Sequence, residues 1–262
     1  MVEIDLSVIK AVDIAVNITY MKDYELIIKK SFENGVLPIF VGTDTESNKK
    51  VIELAEKYNT FCYVGYHPNH LEDFVDFDLL EKQIKHKRVI AIGECGLDYY
   101  RNSDKTRQIE VFRKILNIKT EKPYFLHLRD AFDDFMIIVD EFLIKNKTKF
   151  KNSVVHSFDG TTEEAKKLIK KGFKIGINGC SMKKNTNVVK ELDLNDILIE
   201  TDSPFCRISK SYAAAKFCNV VKAKQNEPAM IFTVAEAISN IKGIELKEVL
   251  TKTTETFKNL YK

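Results

Sequence analysis

The sequence has no uncharged apolar run of about 18 residues anywhere in its 262, so no membrane-spanning helix is expected. Its first segment, MVEIDLSVIKAVDIAV, carries Glu3 and Asp5 ahead of the apolar part. It lacks the basic start and small-residue cleavage site of a secretory signal, so a cytoplasmic protein is expected, with the nucleus as a further location. Charge of either sign is not in excess: 41 basic residues face 38 acidic ones, net +3. This excludes nucleic-acid binding through bulk charge and leaves room for a local basic patch. The five cysteines are odd in number and form no C-x-x-C pair, which argues against a disulfide framework or a Cys-rich zinc site. No G-x-G-x-x-G follows the first apolar run, and no P-loop, G-x-S-x-G or H-E-x-x-H occurs. Low-complexity tracts and Pro/Gly-rich linkers are also missing, so residues 1–262 read as one domain.

What is present is a regular alternation. Short apolar runs rich in β-branched and aromatic residues recur at 11–17, 36–42, 60–67, 88–94, 123–128, 153–158, 173–178 and 196–201. Each is nearly continuous in hydrophobicity, as strands buried on both faces of a parallel sheet are. Helical periodicity fills the gaps at 24–35, 47–58, 108–119, 133–145 and 162–172, with Gly35 and Gly172 as C-terminal stops and Thr161 as an N-cap. Two further helices are predicted at 226–241 and 245–260. Eight strands alternating with helices predict a TIM-type (β/α)8 barrel with extra C-terminal helices. An open doubly wound sheet is the alternative.

In a barrel the strand ends share one face, and that face carries active sites. Here the ends hold Glu94, His127, His156 and, after the eighth strand, Asp202. Taken singly, each has a plain structural reading: a satisfied histidine, a capping carboxylate, a turn. Four such groups from four strands are costly to bury alone. A divalent cation would satisfy them together, and mixed N and O donors suit Mg²⁺, Mn²⁺ or Zn²⁺. His67 is a fifth candidate; His70 reads as loop surface and His86 as solvated. Arg129, two residues past His127, points with it and is a candidate phosphate clamp. The competing reading is an ion pair with Asp130 or Asp133. Arg101 and Asn102 are weaker candidates of the same kind. Tyr99 and Tyr100 either stack on a base or pack their loop. Cys95 and Cys206 read as packing residues. The Lys-rich tracts at 145–151 and 166–171 read as solvated faces.

The segments DIAVNIT (13–19), GYHP (65–68), IGECGLDYYRN (92–102), HLRDA (127–131), VHSFDGT (155–161), GING (176–179), IETDSPFC (199–206) and NEP (226–228) resemble the TatD family of metal-dependent deoxyribonucleases, in order and over nearly the whole chain. The resemblance implies a TIM-type barrel holding one or two divalent ions and a DNA substrate cleaved as a 3′→5′ exonuclease. The sequence itself shows no sign of membrane association or of an obligate protein partner. Carried over by position, Glu94, His127, His156 and Asp202 are the metal ligands, with Glu94 and Asp202 catalytic. His67 is a substrate contact; Arg129 and Asn17 are grouped with it. The H-x-H pair that helps many members hold a second metal is replaced here by Ala15 and Asn17. Met230 stands where members often carry a histidine. The alternatives are an amidohydrolase acting on an amide or lactone, or a scaffold with a residual metal site.

Overall fold

The computed structural model describes residues 8–71, 75–101 and 104–261. Eight parallel strands follow one another in chain order around the sheet: β1 (Ala11–Val16), β2 (Val36–Val41), β3 (Cys62–Val64), β4 (Val89–Asp98), β5 (Tyr124–Arg129), β6 (Val154–Val155), β7 (Lys174–Ile177) and β8 (Ile197–Ile199). A bridge from Val16 to Ser203 brings β1 against the segment after β8, and Asn17 N–H donates to the Ser203 carbonyl at 2.8 Å. The result is a nearly closed TIM barrel, as the alternation predicts. All eight predicted strands are present. The helices are α1 (Tyr24–Glu33), α2 (Thr45–Lys57), α3 (Phe77–Ile84), α4 (Lys105–Asn117), α5 (Phe132–Lys145), α6 (Thr162–Lys170), α7 (Asn187–Glu191), α8 (Ile231–Lys242) and α9 (Leu246–Leu260). Helices α3 and α7 were not predicted. Each is short, eight and five residues, too short for periodicity to stand out from its flanks.

Alternate strand residues serve two cores, because successive side chains leave opposite faces of a strand. Val12, Ile14, Leu37, Ile39, Tyr63, Phe125, Val154 and Leu198 fill the barrel interior. The Tyr63 and Phe125 rings stack there at 4.3 Å, and Phe257 and Leu260 of α9 join the same cluster. The opposite faces pack on the helices, with Phe112 of α4 stacked on Phe135 of α5 at 5.6 Å. Helix α6 starts as expected: Thr161 accepts from Glu164 N–H while Glu164 reaches back to Thr161 N–H.

Strand β4 departs from expectation. It runs four residues past Glu94, to Asp98. Its glycines permit this by letting β4 and β5 backbones press together. A Cβ at Gly93 would lie 2.0 Å from the Phe125 carbonyl oxygen, and one at Gly96 2.0 Å from that of His127. Both also hold positive φ, +154° and +144°, which L side chains rarely adopt. The register shifts between Ile92 and Cys95 at this contact.

Core and cap should separate in stability. Phe112→Ala is expected to cost about 3–5 kcal/mol, and Thr161→Ala about 1 kcal/mol, in urea unfolding of metal-free protein. Equal losses would contradict the packing described.

Candidate active site

The C-terminal ends of the strands enclose a cleft of about 570 Å³. Its floor is organised by one carboxylate. Glu94 is 4% exposed, and its Oε1 is approached by three imidazoles: His156 Nε2 at 2.8 Å, His127 Nδ1 at 2.9 Å and His67 Nε2 at 3.2 Å. His127 Nδ1 and His156 Nε2 are themselves 3.3 Å apart. Each ring is held from behind. His127 Nε2 lies 3.2 Å from Asp98 Oδ2. His156 Nδ1 lies 3.5 Å from Glu200 Oε1, a charge contact rather than a hydrogen bond. Glu200 is fully buried and is fixed by Ser157 N–H at 2.7 Å and Asn178 Nδ2 at 3.0 Å. His67 differs: its Nδ1 accepts the Asn69 N–H at 3.0 Å, so a neutral ring carries its proton on Nε2, toward Glu94.

The charges follow from this packing. Burial disfavours ionised Glu94, but the charges of His156 and His67 and hydrogen bonds from His127 and His156 outweigh it and hold its pKa well below the carboxylate range. Burial likewise disfavours charged His127, and hydrogen bonds to Asp98 and Glu94 reverse that, raising it. His156 is raised well above the usual value, against burial, by Glu94 and Glu200. His67 lacks a second carboxylate, and burial lowers it to about 4. Two imidazoles whose protonated forms are favoured in this way stand between three carboxylates. A divalent cation brings the same charge with both rings neutral, and their Nδ1 and Nε2 lone pairs then face one another beside Glu94. A carboxylate behind a ligating imidazole is the arrangement that fixes its tautomer. The donor set therefore fits a hard or borderline divalent ion.

His67, Glu94 and His127 each offer one ligand atom, all within 4.8 Å of one another. Of the predicted ligands, Glu94, His127 and His156 are brought into mutual contact. Asp202 lines the same cleft but lies outside that group. Its Oδ1 accepts from Asn17 Nδ2 at 2.8 Å, and its Oδ2 from the Cys206 thiol at 3.2 Å. Burial, with Glu200 and Glu94 nearby, pushes Asp202 up to about 6 against the pull of His156. Asn17, expected as a substrate contact, lines the cleft and donates its amide to Asp202. Cys206, which also donates to Asp202, is more than packing, whereas Cys95 is fully buried in the core.

Arg129 makes neither ion pair weighed for it. Its guanidinium lies over the Tyr100 ring, 4.0 Å from the centroid, and both line the cleft. Tyr99 instead donates to Asp134 Oδ2 at 2.7 Å. Arg101 lines the cleft; Asn102 falls outside the described residues. His70 is not simple loop surface: it lines the cleft with Tyr20 at 3.5 Å. The lysine tracts stay outside it, with Lys166 on Glu191 and Lys171 on Asp140. Asp98 and Glu200 were missed as site residues. Position carried a signal for both. Asp98 is four residues from Glu94 and Glu200 two from Asp202, so each shares a face with its partner if the strand continues.

Two loop contacts hold the strand-eight end. Asp13 accepts Thr201 N–H at 2.8 Å and the Thr201 hydroxyl at 2.5 Å. Asn226, in the N-E-P segment, donates to the carbonyls of Thr201 at 2.8 Å and Phe205 at 2.6 Å.

Residues 12–262 match the family described as TatD related DNase. The TATDN1 homologue of Enterocytozoon bieneusi is 46% identical over 254 residues, covering 91% of this chain and 90% of its own. A 3′-5′ ssDNA/RNA exonuclease TatD of Erwinia billingiae is 28% identical over 249 residues, covering 89% and 92%. Among solved structures, a hydrolase TatD family protein from Entamoeba histolytica superposes with a TM-score of 0.87 at 29% identity, covering 97% of this chain and 98% of that one.

The raised Asp202 pKa has a stability consequence in metal-free protein. Below about pH 4 the carboxyl is protonated whether folded or unfolded. As pH rises toward 6 the unfolded form ionises first, so folding stability falls through that window. Asp202→Asn escapes the loss. Its advantage over wild type, measured by urea unfolding with chelator, should grow from pH 4 to 6.5 and reach roughly 1–3 kcal/mol. A gap that stays flat across the window contradicts the burial argument.

Proposed function

The chain belongs to the TatD-related deoxyribonuclease family, and from that premise we propose that it removes nucleotides from the 3′ ends of single-stranded DNA by metal-dependent phosphodiester hydrolysis. It is a hydrolase of the metal-dependent nuclease kind. We read residues 1–262 as one catalytic unit. The observation that supports the reading most is the convergence of His127 and His156 on Glu94 Oε1 with a carboxylate behind each ring. The exonuclease name on the Erwinia relative supports the polarity.

In this proposal Glu94, His127 through Nδ1, His156 through Nε2 and Asp202 hold the divalent ion, with Mg²⁺ and Mn²⁺ ahead of Zn²⁺. Such an ion supplies charge neutralisation at the phosphate and a lowered pKa for water. Asp98 and Glu200 position the two imidazoles. Asp202, buried at the cleft beside Glu94, takes the proton of the attacking water. Asn17 and Cys206 fix its two oxygens, so the proton arrives at a carboxylate of set orientation. With Glu94 engaged by the ion, the Nε2–H that His67 directs at Glu94 would be available to a substrate oxygen. Arg129 pairs with a phosphate, its plane already set by Tyr100. Arg101, Lys183 and Lys184 line the cleft and supply the local basic surface that the near-neutral net charge leaves room for.

A 5′-labelled single-stranded oligonucleotide incubated with Mg²⁺, Mn²⁺ or Zn²⁺ should shorten stepwise from its 3′ end, and chelator should stop it. Glu94→Gln and Asp202→Asn should lower the rate by at least about 100-fold, and Asp98→Asn should raise the metal concentration for half-activity about 10–100-fold. Cleavage that survives chelator, or wild-type rates in Glu94→Gln, would reject the proposal.

A further inference from the structure

An exposed aromatic pair and a cation–π pair stand on opposite rims of the cleft. Tyr20, in the turn Ile18–Tyr20 after β1, and Phe205, in the loop after β8, meet edge to face at 5.8 Å and are 47% and 49% exposed. Tyr100, after β4, is 65% exposed and carries the Arg129 guanidinium at 4.0 Å. All four line the cleft. In a ring of eight strands taken in order, the β8–β1 seam is half a turn from the β4–β5 seam.

Charge is distributed unequally between these rims. Among the described residues, the cleft's lysines and arginines are Arg101, Arg129, Lys183 and Lys184, from loops after β4, β5 and β7. The loops after β8, β1, β2 and β3 contribute none; there the lining includes Tyr20, Thr43, His70 and Phe205. A DNA strand carries a phosphate at every step and needs a cationic track. A terminal nucleotide has a base, and beyond it no further phosphate. An aromatic rim without lysine or arginine, facing one that offers four such cations among Asp98, Asp130 and Asp159, therefore matches the end of a strand, not its middle.

We propose that the Tyr20–Phe205 pair is the stacking platform for the base of the terminal nucleotide, while the strand leading to it crosses the Arg129 rim. The assignment rests on the DNA-hydrolase reading above. The two rings hold each other edge to face before a ligand arrives. The Phe205 carbonyl is anchored by Asn226 at 2.6 Å, and the Tyr20 hydroxyl lies 3.5 Å from His70 Nε2. Preset rings lose little freedom on binding. Stacking uses the π-face common to all bases, so the platform accepts any base.

The test compares kcat/KM on two oligonucleotides with Mn²⁺: one with a normal 3′-terminal nucleotide, one whose terminal sugar lacks a base. Wild type should prefer the normal end by about tenfold or more. Phe205→Ala and, separately, Tyr20→Ala should bring that ratio toward one, whereas Tyr100→Ala should lower both rates and keep the ratio. The more conservative Phe205→Leu, which keeps an apolar side chain without a π-face, should also lose the preference and guards against misfolding. Equal cleavage of both ends by wild type, or a ratio unchanged in the Phe205 and Tyr20 variants, overturns the platform alone. Cleavage of neither oligonucleotide by wild type overturns the hydrolase reading and the platform with it.

Discussion

A carboxylate with almost no access to water must find its solvation in the protein, and Glu94 is that carboxylate. Three imidazoles meet one of its oxygens, coming from the ends of β3, β5 and β6. Concentrating three rings there would itself be costly, so each is backed in turn: His67 by the Asn69 N–H, His127 by Asp98, His156 by Glu200. The demand passes outward once more, from Glu200 to Asn178 and Ser157. The site is a set of concentric compensations around a single buried charge, and its geometry follows from them.

The barrel makes this affordable by bringing backbones unusually close. Gly93 and Gly96 let β4 lie against β5 where any side chain would strike a carbonyl. That contact puts Glu94 and Asp98 beside His127, so one strand supplies both the carboxylate in front of the ring and the one behind it. Across the barrel, Asp13 gathers the Thr201 amide and hydroxyl and ties β1 to the end of β8. Asn226 holds the next turn, presenting Asp202 on one side and Phe205 on the other. The short motifs around these residues are thus structural as well as chemical.

The residue pattern made some of this legible and left some of it hidden. Strand positions could be read because strands buried on both faces are continuous apolar runs, and all eight recur in the barrel. Glu94, His127 and His156 could be read because polar residues interrupt those runs where the barrel face lies. Asp98 was harder to read, because its spacing from Glu94 signals only if β4 continues and Gly96 looks like a turn there. The partners of Asn17, Cys206 and Arg129 were equally hidden, since each partner comes from a strand or loop distant in the chain or from an undirected choice among neighbours.

The amino-acid sequence by itself determined the eightfold alternation of strands and helices and the identity of the polar groups at the strand ends. These depend on local periodicity and on composition, which a linear chain carries in full. Only the tertiary structure decided which nitrogen of each imidazole faces Glu94, which carboxylate stands behind it, and why Asp202 titrates near 6. Those properties depend on distances between segments up to 188 residues apart, as between Asp13 and Thr201, and on the exclusion of water, which exists only once the barrel has closed.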